Sequence, residues 1–117
     1  MKIGVVPARL DSARLPNKIL ARLNGKPMVA HVMDRVLKAK NLERVILAVD
    51  SDETIEALKE YDFEMVMTSS KHISGTDRIA EVVEEIPEAE VIINIQGDEP
   101  LIDPYVIDSL VDSFEDD

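Results

Sequence analysis

Hydrophobic residues recur along this chain with two alternating periods. Four short runs are almost continuously apolar, as expected of strands buried on both faces of a sheet, and they cover residues 3–6, 44–50, 64–68 and 91–95. After each run, apolar residues recur at helical spacing, in segments that cover 28–40, 52–61, 75–86 and 104–115. The pattern therefore predicts four strands and four helices in alternation.

Most of the predicted helices carry an apolar stripe, which indicates the residues that face the core. The second helix should begin at Ser51 or Asp52, because both are good N-cap residues. Asn94 lies in a buried type of strand, where its side chain would need a hydrogen-bond partner. The expected inward-facing positions are Val29, Val32, Met33, Val36 and Leu37 in the first helix, Ile79, Val82, Val83 and Ile86 in the third, and Ile107, Leu110, Val111 and Phe114 in the last.

The alternation of strands and helices predicts an α/β fold. Near-continuous apolar strands separated by amphipathic helices are typical of a mainly parallel sheet that is covered by helices on both faces. Its crossovers should be right-handed. Ligands of such sheets bind beyond the carboxyl ends of the strands, near the point where the strand order reverses. The 117 residues are enough for one domain, and they contain no internal repeat or linker.

Composition narrows the classes of function. The chain has no cysteine, which excludes a disulfide framework and any thiolate metal ligand or nucleophile. Its net charge of −11 argues against a nucleic-acid partner, because phosphate backbones attract basic surfaces. The first apolar run is too short for a signal-peptide core or a membrane span, so we expect a cytoplasmic protein with no membrane partner.

Basic residues are concentrated near the start of this acidic chain. Arg9, Arg14 and Lys18 lie in the stretch PARLDSARLPNK, directly after the first predicted strand. A compact basic loop on an acidic body suits a small polyanion, although composition alone also fits a solvated loop. The stretch lacks the glycine motifs of Rossmann and P-loop sites. Cationic side chains would therefore have to hold any phosphates.

A second candidate loop, HISGTDR, precedes the third predicted helix. Ser74 and Asp77 have the spacing of a capping box, and this structural role is as well supported as a binding role. Gly75 and Thr76 would expose backbone N–H groups at a helix N-terminus, where anions and polar base edges bind. The loop is therefore a candidate nucleotide contact.

A third candidate loop, NIQGDEP, follows the fourth predicted strand. Gly97 permits a sharp turn, after which Asp98 and Glu99 should lie at the carboxyl edge of the sheet. A carboxylate in this position commonly holds Mg²⁺ that bridges to substrate phosphates. Alone, the segment is better explained as a polar turn that ends at Pro100. Together, the three loops predict a site for a nucleoside triphosphate and Mg²⁺.

Four segments, in this order and spacing, closely resemble the 3-deoxy-manno-octulosonate cytidylyltransferase (CMP-Kdo synthetase) family. They are VVPARLDSARLPNKIL, LNGKPMVAHV, SGTDRIAEV and NIQGDEP, and the resemblance covers essentially the whole chain. It implies a nucleotide-diphospho-sugar transferase fold, a three-layer α/β/α arrangement related to the Rossmann type. It also implies that CTP and the sugar acid Kdo are joined into CMP-Kdo and pyrophosphate, for lipopolysaccharide biosynthesis.

The resemblance also implies roles for particular residues. Arg9, Arg14 and Lys18 would grip the CTP phosphates, and Asp98 would bind Mg²⁺; these four form the expected catalytic set. The expected nucleotide-binding set is Pro7, Ala8, Arg9, Lys18, Ser74, Gly75, Thr76, Arg78 and Gln96.

The chain is short for this family, whose members continue for about as much chain again. That further half supplies most of the sugar-acid pocket, a second metal-binding aspartate and much of a homodimer interface. Residues 1–117 would thus be the N-terminal, CTP-binding part of the enzyme, and we do not expect turnover from them alone. Two alternatives stay open: a cytidylyltransferase for another sugar acid or an amino-Kdo, and a non-catalytic nucleotide-binding fragment.

Overall fold

The computed structural model of the chain describes residues 1–8, 20–68, 75–95 and 102–115, with residues 75–77 and 114–115 described as backbone only. Six strands and four helices are assigned within these ranges. The strands are β1 (Lys2–Ala8), β2 (Arg22–Leu23), β3 (Lys26–Pro27), β4 (Arg44–Val49), β5 (Met65–Met67) and β6 (Val91–Asn94). The helices are α1 (Met28–Val36), α2 (Asp52–Leu58), α3 (Gly75–Glu84) and α4 (Pro104–Glu115).

Four of the strands form one parallel sheet in the order β5-β4-β1-β6. They are the four strands that the apolar runs predict, so the predicted α/β fold with a parallel sheet is confirmed. The chain runs outward from β1 through β4 to β5, and it then crosses back to place β6 on the other side of β1. This reversal gives the sheet one switch point, between β1 and β6.

The two faces of the sheet carry separate hydrophobic cores. Side chains of the central strand alternate between them, so that Val6 and Ala8 lie in one core and Ile3 and Val5 in the other. The first core joins α1, α2 and α4, and the second joins α3. Right-handed crossovers that run in opposite directions along a sheet place their helices on opposite faces. The crossover that contains α3 runs opposite to those that contain α1 and α2, so α3 covers the other face.

Helix α1 is nearly as predicted, but its stripe ends earlier. Four of its predicted inward residues are fully buried: Val29, Val32, Met33 and Val36. Leu37 is 52% exposed, so that prediction is wrong. The helix ends at Val36, and Leu37 is its C-cap, so the helical periodicity no longer governs where this side chain points.

Helix α4 buries a narrower stripe than predicted. Ile107 and Val111 are buried, whereas Leu110 is 46% exposed, contrary to expectation. This helix packs at the side of the sheet, on β6 and α1. A helix in that position has neighbours along a narrower strip than one lying over the sheet centre. Phe114 lies where only the backbone is described.

The loop after α1 is held to α4 by two carboxylates of that helix. Asp108 accepts hydrogen bonds from the backbone N–H groups of Lys40 (3.0 Å) and Asn41 (2.7 Å). The Asn41 side-chain amide donates to Asp112 (2.7 Å) and to the Asp108 carbonyl (3.3 Å). These bonds fix α4 against α1 beside the apolar contacts.

Among the described helices, none is long and apolar enough to cross a membrane.

A small hairpin between β1 and α1 was not predicted. Asn24 and Gly25 have positive φ angles of 54° and 79°, and they connect β2 to β3 in a two-residue turn. This is the Asn-Gly signal of a type I′ hairpin. His31 of α1 contacts the hairpin through Nε2, 2.5 Å from the Leu23 carbonyl oxygen. The hairpin thus sets where α1 begins after the first candidate loop.

Candidate functional site

The switch point of the sheet lies between the carboxyl ends of β1 and β6. Ligands of open parallel sheets bind in the crevice that forms where adjacent connections leave in opposite directions. The segment 9–19, which contains the predicted cations, continues from Ala8 at the end of β1. The segment 96–101 continues from Ile95, just after β6. Both therefore leave the sheet at the switch point.

Pro7 ends the hydrogen-bonded ladder between these two strands. Ile95 N–H donates to the Val5 carbonyl at 3.0 Å, so the next bond in a parallel ladder would run from residue 7 to Ile95. Proline has no N–H to donate. Pro7 and Ala8 remain paired in register with Ala48 and Val49 on the other side of β1. Within the described residues, the pairing of β1 with β6 thus ends at Val5 and Asn94, near the place where a crevice is expected.

The two predicted binding residues of β1 differ in exposure. Ala8 is fully buried, whereas Pro7 is partly exposed at the same end of the strand. Arg9, Arg14 and Lys18 lie outside the described residues, as do Gln96 and Asp98. Their expected locations therefore follow only from the ends of the strands after which their segments begin. No cluster of three or more metal-binding side chains occurs within the described ranges.

Helix α3 begins at Gly75, directly after Ser74, which lies outside the described residues. Gly75 and Thr76 form the first turn of the helix, as predicted, and the N–H groups of a first turn have no acceptor within the helix. Such groups can donate to an oxygen of a bound anion or base. The backbone part of the second candidate loop therefore has the expected geometry.

Arg78, in the same turn, points into the protein. The residue is 0% exposed. Its Nη1 donates to Thr68 Oγ1 at 2.8 Å, and its Nη2 lies 3.6 Å from Asp50 Oδ2. The Asp50 side chain is only 7% exposed, so the ion pair is shielded from water. A buried charge is tolerated in a protein when it is paired and hydrogen-bonded in this way.

Thr68 connects this guanidinium to the sheet. Its hydroxyl donates to the Val49 carbonyl at 2.8 Å, and its backbone N–H donates to the same oxygen at 2.7 Å. The hydroxyl proton is thus used on Val49, which leaves the oxygen free to accept from Arg78. Asp50 directly follows β4, and Thr68 directly follows β5. One side chain of α3 therefore holds the carboxyl ends of two neighbouring strands.

Sequence reasoning missed Asp50 and Thr68 as members of the site region. They are separated from Arg78 by 28 and 10 positions in the chain, and no short motif contains all three. The available signal was positional: each polar residue comes directly after an apolar strand. In a parallel sheet, such residues meet at the same edge.

Known proteins with similar sequences are cytidylyltransferases. Residues 3–117 match a protein family described as cytidylyltransferase. The chain is 47% identical over 112 residues to the 3-deoxy-manno-octulosonate cytidylyltransferase of Haemophilus influenzae, covering 94% of this chain and 44% of that protein. Its identity to the Geotalea daltonii protein of the same name is 44% over 118 residues. The chain spans somewhat less than half the length of these relatives.

Solved structures agree with the sequences. A CMP:2-keto-3-deoxy-manno-octonic acid synthetase in complex with CTP matches with a TM-score of 0.94 and 40% identity, over 100% of this chain and 48% of that one. A cytidylyltransferase from Leptospira borgpetersenii matches with a TM-score of 0.84 and 25% identity, over 100% of this chain and 50% of that one. The fold is that of these nucleotidyltransferases, and the chain belongs to the cytidylyltransferase family.

Proposed function

We propose that this chain forms the CTP-binding part of an enzyme that transfers CMP to Kdo and releases pyrophosphate. One observation carries the proposal: β1 and β6, the strands that the predicted phosphate and metal loops follow in the sequence, are neighbours at the switch point of the sheet. The relatives named for this reaction, at up to 47% identity, support the choice of nucleotide and acceptor. The synthetase that matches this chain was solved in complex with CTP.

The proposed reaction is an in-line substitution at the α-phosphorus of CTP. The anomeric hydroxyl oxygen of Kdo forms a bond to this phosphorus and loses its proton to solvent, and the bond from phosphorus to the bridging oxygen of pyrophosphate breaks. Arg9, Arg14 and Lys18 bind the phosphates and offset the negative charge that builds up on the leaving pyrophosphate. Catalysis then depends on positioning and charge neutralisation rather than on covalent chemistry from the protein.

The base and ribose are assigned to the other residues of the predicted set. Pro7 and Ala8 border the crevice at the end of β1. The Ser74 hydroxyl and the backbone N–H groups of Gly75 and Thr76 supply donors from the side of α3, and Gln96 supplies an amide from the segment after β6. Arg78 is buried, so we assign it to the support of these groups and not to direct contact with the nucleotide.

The proposed metal ligand is Asp98, three residues after Ile95. A carboxylate oxygen is the ligand type that Mg²⁺ prefers, and the start of this segment at the switch point is compatible with a shared site for metal and phosphate. When bound there, the cation would withdraw charge from the phosphate oxygens. Asp50, the carboxylate at the end of β4, is paired with Arg78 and is therefore a poorer candidate.

The acceptor site, a second metal ligand and a homodimer interface are assigned to the part of the relatives that this chain does not span. A cytoplasmic location follows from the substrate, since CTP is synthesised and used there. Lipopolysaccharide biosynthesis is the proposed process, because Kdo is a component of that polymer. A cytidylyltransferase for another sugar acid would use the same nucleotide half, and competing acceptors would distinguish the two enzymes.

The first experiment is calorimetric titration of the 117-residue chain with CTP, with and without Mg²⁺, using UTP and ATP as controls. We expect selective binding of CTP that depends on Mg²⁺. Equal affinity for the three nucleotides, or no binding by a sample shown to be folded by circular dichroism, would contradict a CTP-binding role for this chain. Release of pyrophosphate on addition of Kdo would show whether the chain alone also turns over.

A further inference from the structure

Arg78 has an unusual combination of position and burial. It lies in the first turn of α3, one turn from the backbone groups that are proposed to hold the nucleotide, yet its side chain is only 1% exposed. A side chain so deeply buried is poorly placed to touch a ligand directly. Its contacts are instead with Thr68 and Asp50, at the ends of β5 and β4.

The bond between Arg78 and Thr68 connects the described residues on the two sides of segment 69–74. Thr68 is the last described residue before segment 69–74, and α3 begins directly after that segment. The 2.8 Å bond from Arg78 Nη1 to Thr68 Oγ1 therefore ties the entry of the segment to its exit. Thr68 is itself held to Val49 by two hydrogen bonds, so this connection is anchored on the sheet.

Charge-assisted hydrogen bonds fix direction as well as distance, unlike apolar contacts. The planar guanidinium can face Thr68 and Asp50 together because its donors form a rigid fork. It thereby sets the rotation and height of the first turn of α3 relative to β4 and β5. The backbone N–H groups of Gly75 and Thr76 belong to that turn, so their direction depends on it.

We propose that Arg78 is a positioning residue, which orients the backbone donor groups of Gly75 and Thr76 toward the nucleotide through its buried hydrogen bond to Thr68 and its ion pair with Asp50. The inference rests on the proposed function, because it assigns these donors to CTP. It differs from a direct-contact role in one consequence. Altering Thr68 should then weaken binding of the base and ribose while binding of the phosphates, which is assigned to Arg9, Arg14 and Lys18, is retained.

Thr68→Val is the sharpest test. It removes the acceptor for Arg78 but keeps the shape of the side chain and the backbone bond from Thr68 to Val49. We expect the dissociation constant for CTP to rise about tenfold, because the bond from Arg78 and the hydroxyl bond to Val49 are both lost. The inhibition constant of inorganic tripolyphosphate, measured by displacement of CTP, should change by less than about twofold.

Two further variants serve as controls. Thr68→Ser keeps the hydroxyl and should restore CTP affinity to within about twofold of the wild type. Thr54→Val makes the same chemical change at another buried threonine, whose Oγ1 has no hydrogen-bond partner among the described residues. It should leave both ligands unaffected. Hydrogen exchange in the unliganded protein should become faster in peptides that span 69–76 for Thr68→Val, and not for Thr54→Val.

The outcomes separate this inference from the proposed function. A wild-type chain that does not bind CTP would overturn both. If the wild type binds CTP selectively, the proposed function stands, and the inference is overturned by any of three results for Thr68→Val. These are unchanged CTP affinity, equal weakening of CTP and tripolyphosphate, and failure of Thr68→Ser to restore binding.

Discussion

The two faces of the sheet are covered in different ways. Three helices pack on one face over a large apolar core, to which α1 alone contributes Val29, Ala30, Val32, Met33 and Val36. On the other face, α3 contributes Val82 and Ile86 follows the end of the helix, while the first turn of α3 is held by Arg78. Apolar burial is not directional, so it can fix the layers without fixing a helix end. This polar anchor, formed by Arg78 with Thr68 and Asp50, lies beside the backbone donors that we propose to bind the nucleotide.

The largest effect on stability is expected from breaking the polar anchor. Asp50→Asn removes the charge that faces Arg78 in a shielded pair. We expect the free energy of unfolding to fall by about 3 kcal/mol or more, because a buried cation loses its counter-charge. Denaturation by urea measures this loss, and Asp62→Asn at an exposed position is the matched control. A loss as small as that of the control would contradict the account of the anchor.

A cavity on the opposite face should affect stability without affecting the ligand. Met33 is fully buried in the core under α1. Met33→Ala is expected to lower the free energy of unfolding by about 3 kcal/mol, the usual cost of such a cavity. Far below the melting temperature, the dissociation constant for CTP should stay within about twofold of the wild type. A selective loss of CTP affinity in folded protein would show that the two faces are not separable.

A third substitution should lower the turnover rate without changing the packing of either hydrophobic core. Asp98→Asn removes the proposed metal ligand, and turnover is expected to fall about 100-fold or more, as when one key electrostatic group is lost. Pyrophosphate release from CTP and Kdo measures it in the enzyme that includes the acceptor half. The free energy of unfolding should be unchanged. Turnover equal to that of the wild type would refute the assignment of Asp98.

The smallest expected change is an increase in stability. Thr54 is fully buried on α2, and within the described ranges its hydroxyl oxygen has no hydrogen-bond partner. Thr54→Val replaces this oxygen with a methyl group of similar size. We expect the free energy of unfolding to rise by about 1 kcal/mol, because an unsatisfied buried polar atom is removed. A loss of stability in urea denaturation would mean that the hydroxyl has a role that the described contacts do not include.

The order and type of the four helices and of the four strands in the parallel sheet were predictable from the sequence, because each apolar run has a single period. The second helix begins where expected, with Ser51 as its N-cap accepting a bond from Glu53 N–H. Helix ends were less predictable, since Leu37 fits the spacing of α1 but follows its last turn. Asn94 is exposed, contrary to the expectation from its apolar strand, because β6 lies at the side of the sheet.

The site was predictable only in part, for a different reason. Loops at strand ends could be recognised as candidates, because parallel strands all present their carboxyl ends at one edge. The partners of Arg78 could not be recognised, because they come from the ends of two other strands. The sequence places Arg78 beside Gly75 and Thr76, which suggests a shared contact with the ligand. Its inward direction follows from the packing of α3 on the sheet.

The central position of β1 also affects how the chain folds during synthesis. β1 is made first, yet it pairs with β4 and β6, so its second neighbour is completed only when Asn94 has been added. At typical rates of translation, this delay lasts roughly 4 to 20 s. Throughout that time one edge of an apolar strand has unpaired backbone groups, which favour association with other chains. The strand that precedes the proposed phosphate loop therefore keeps an unpaired edge in the nascent chain until β6 is complete.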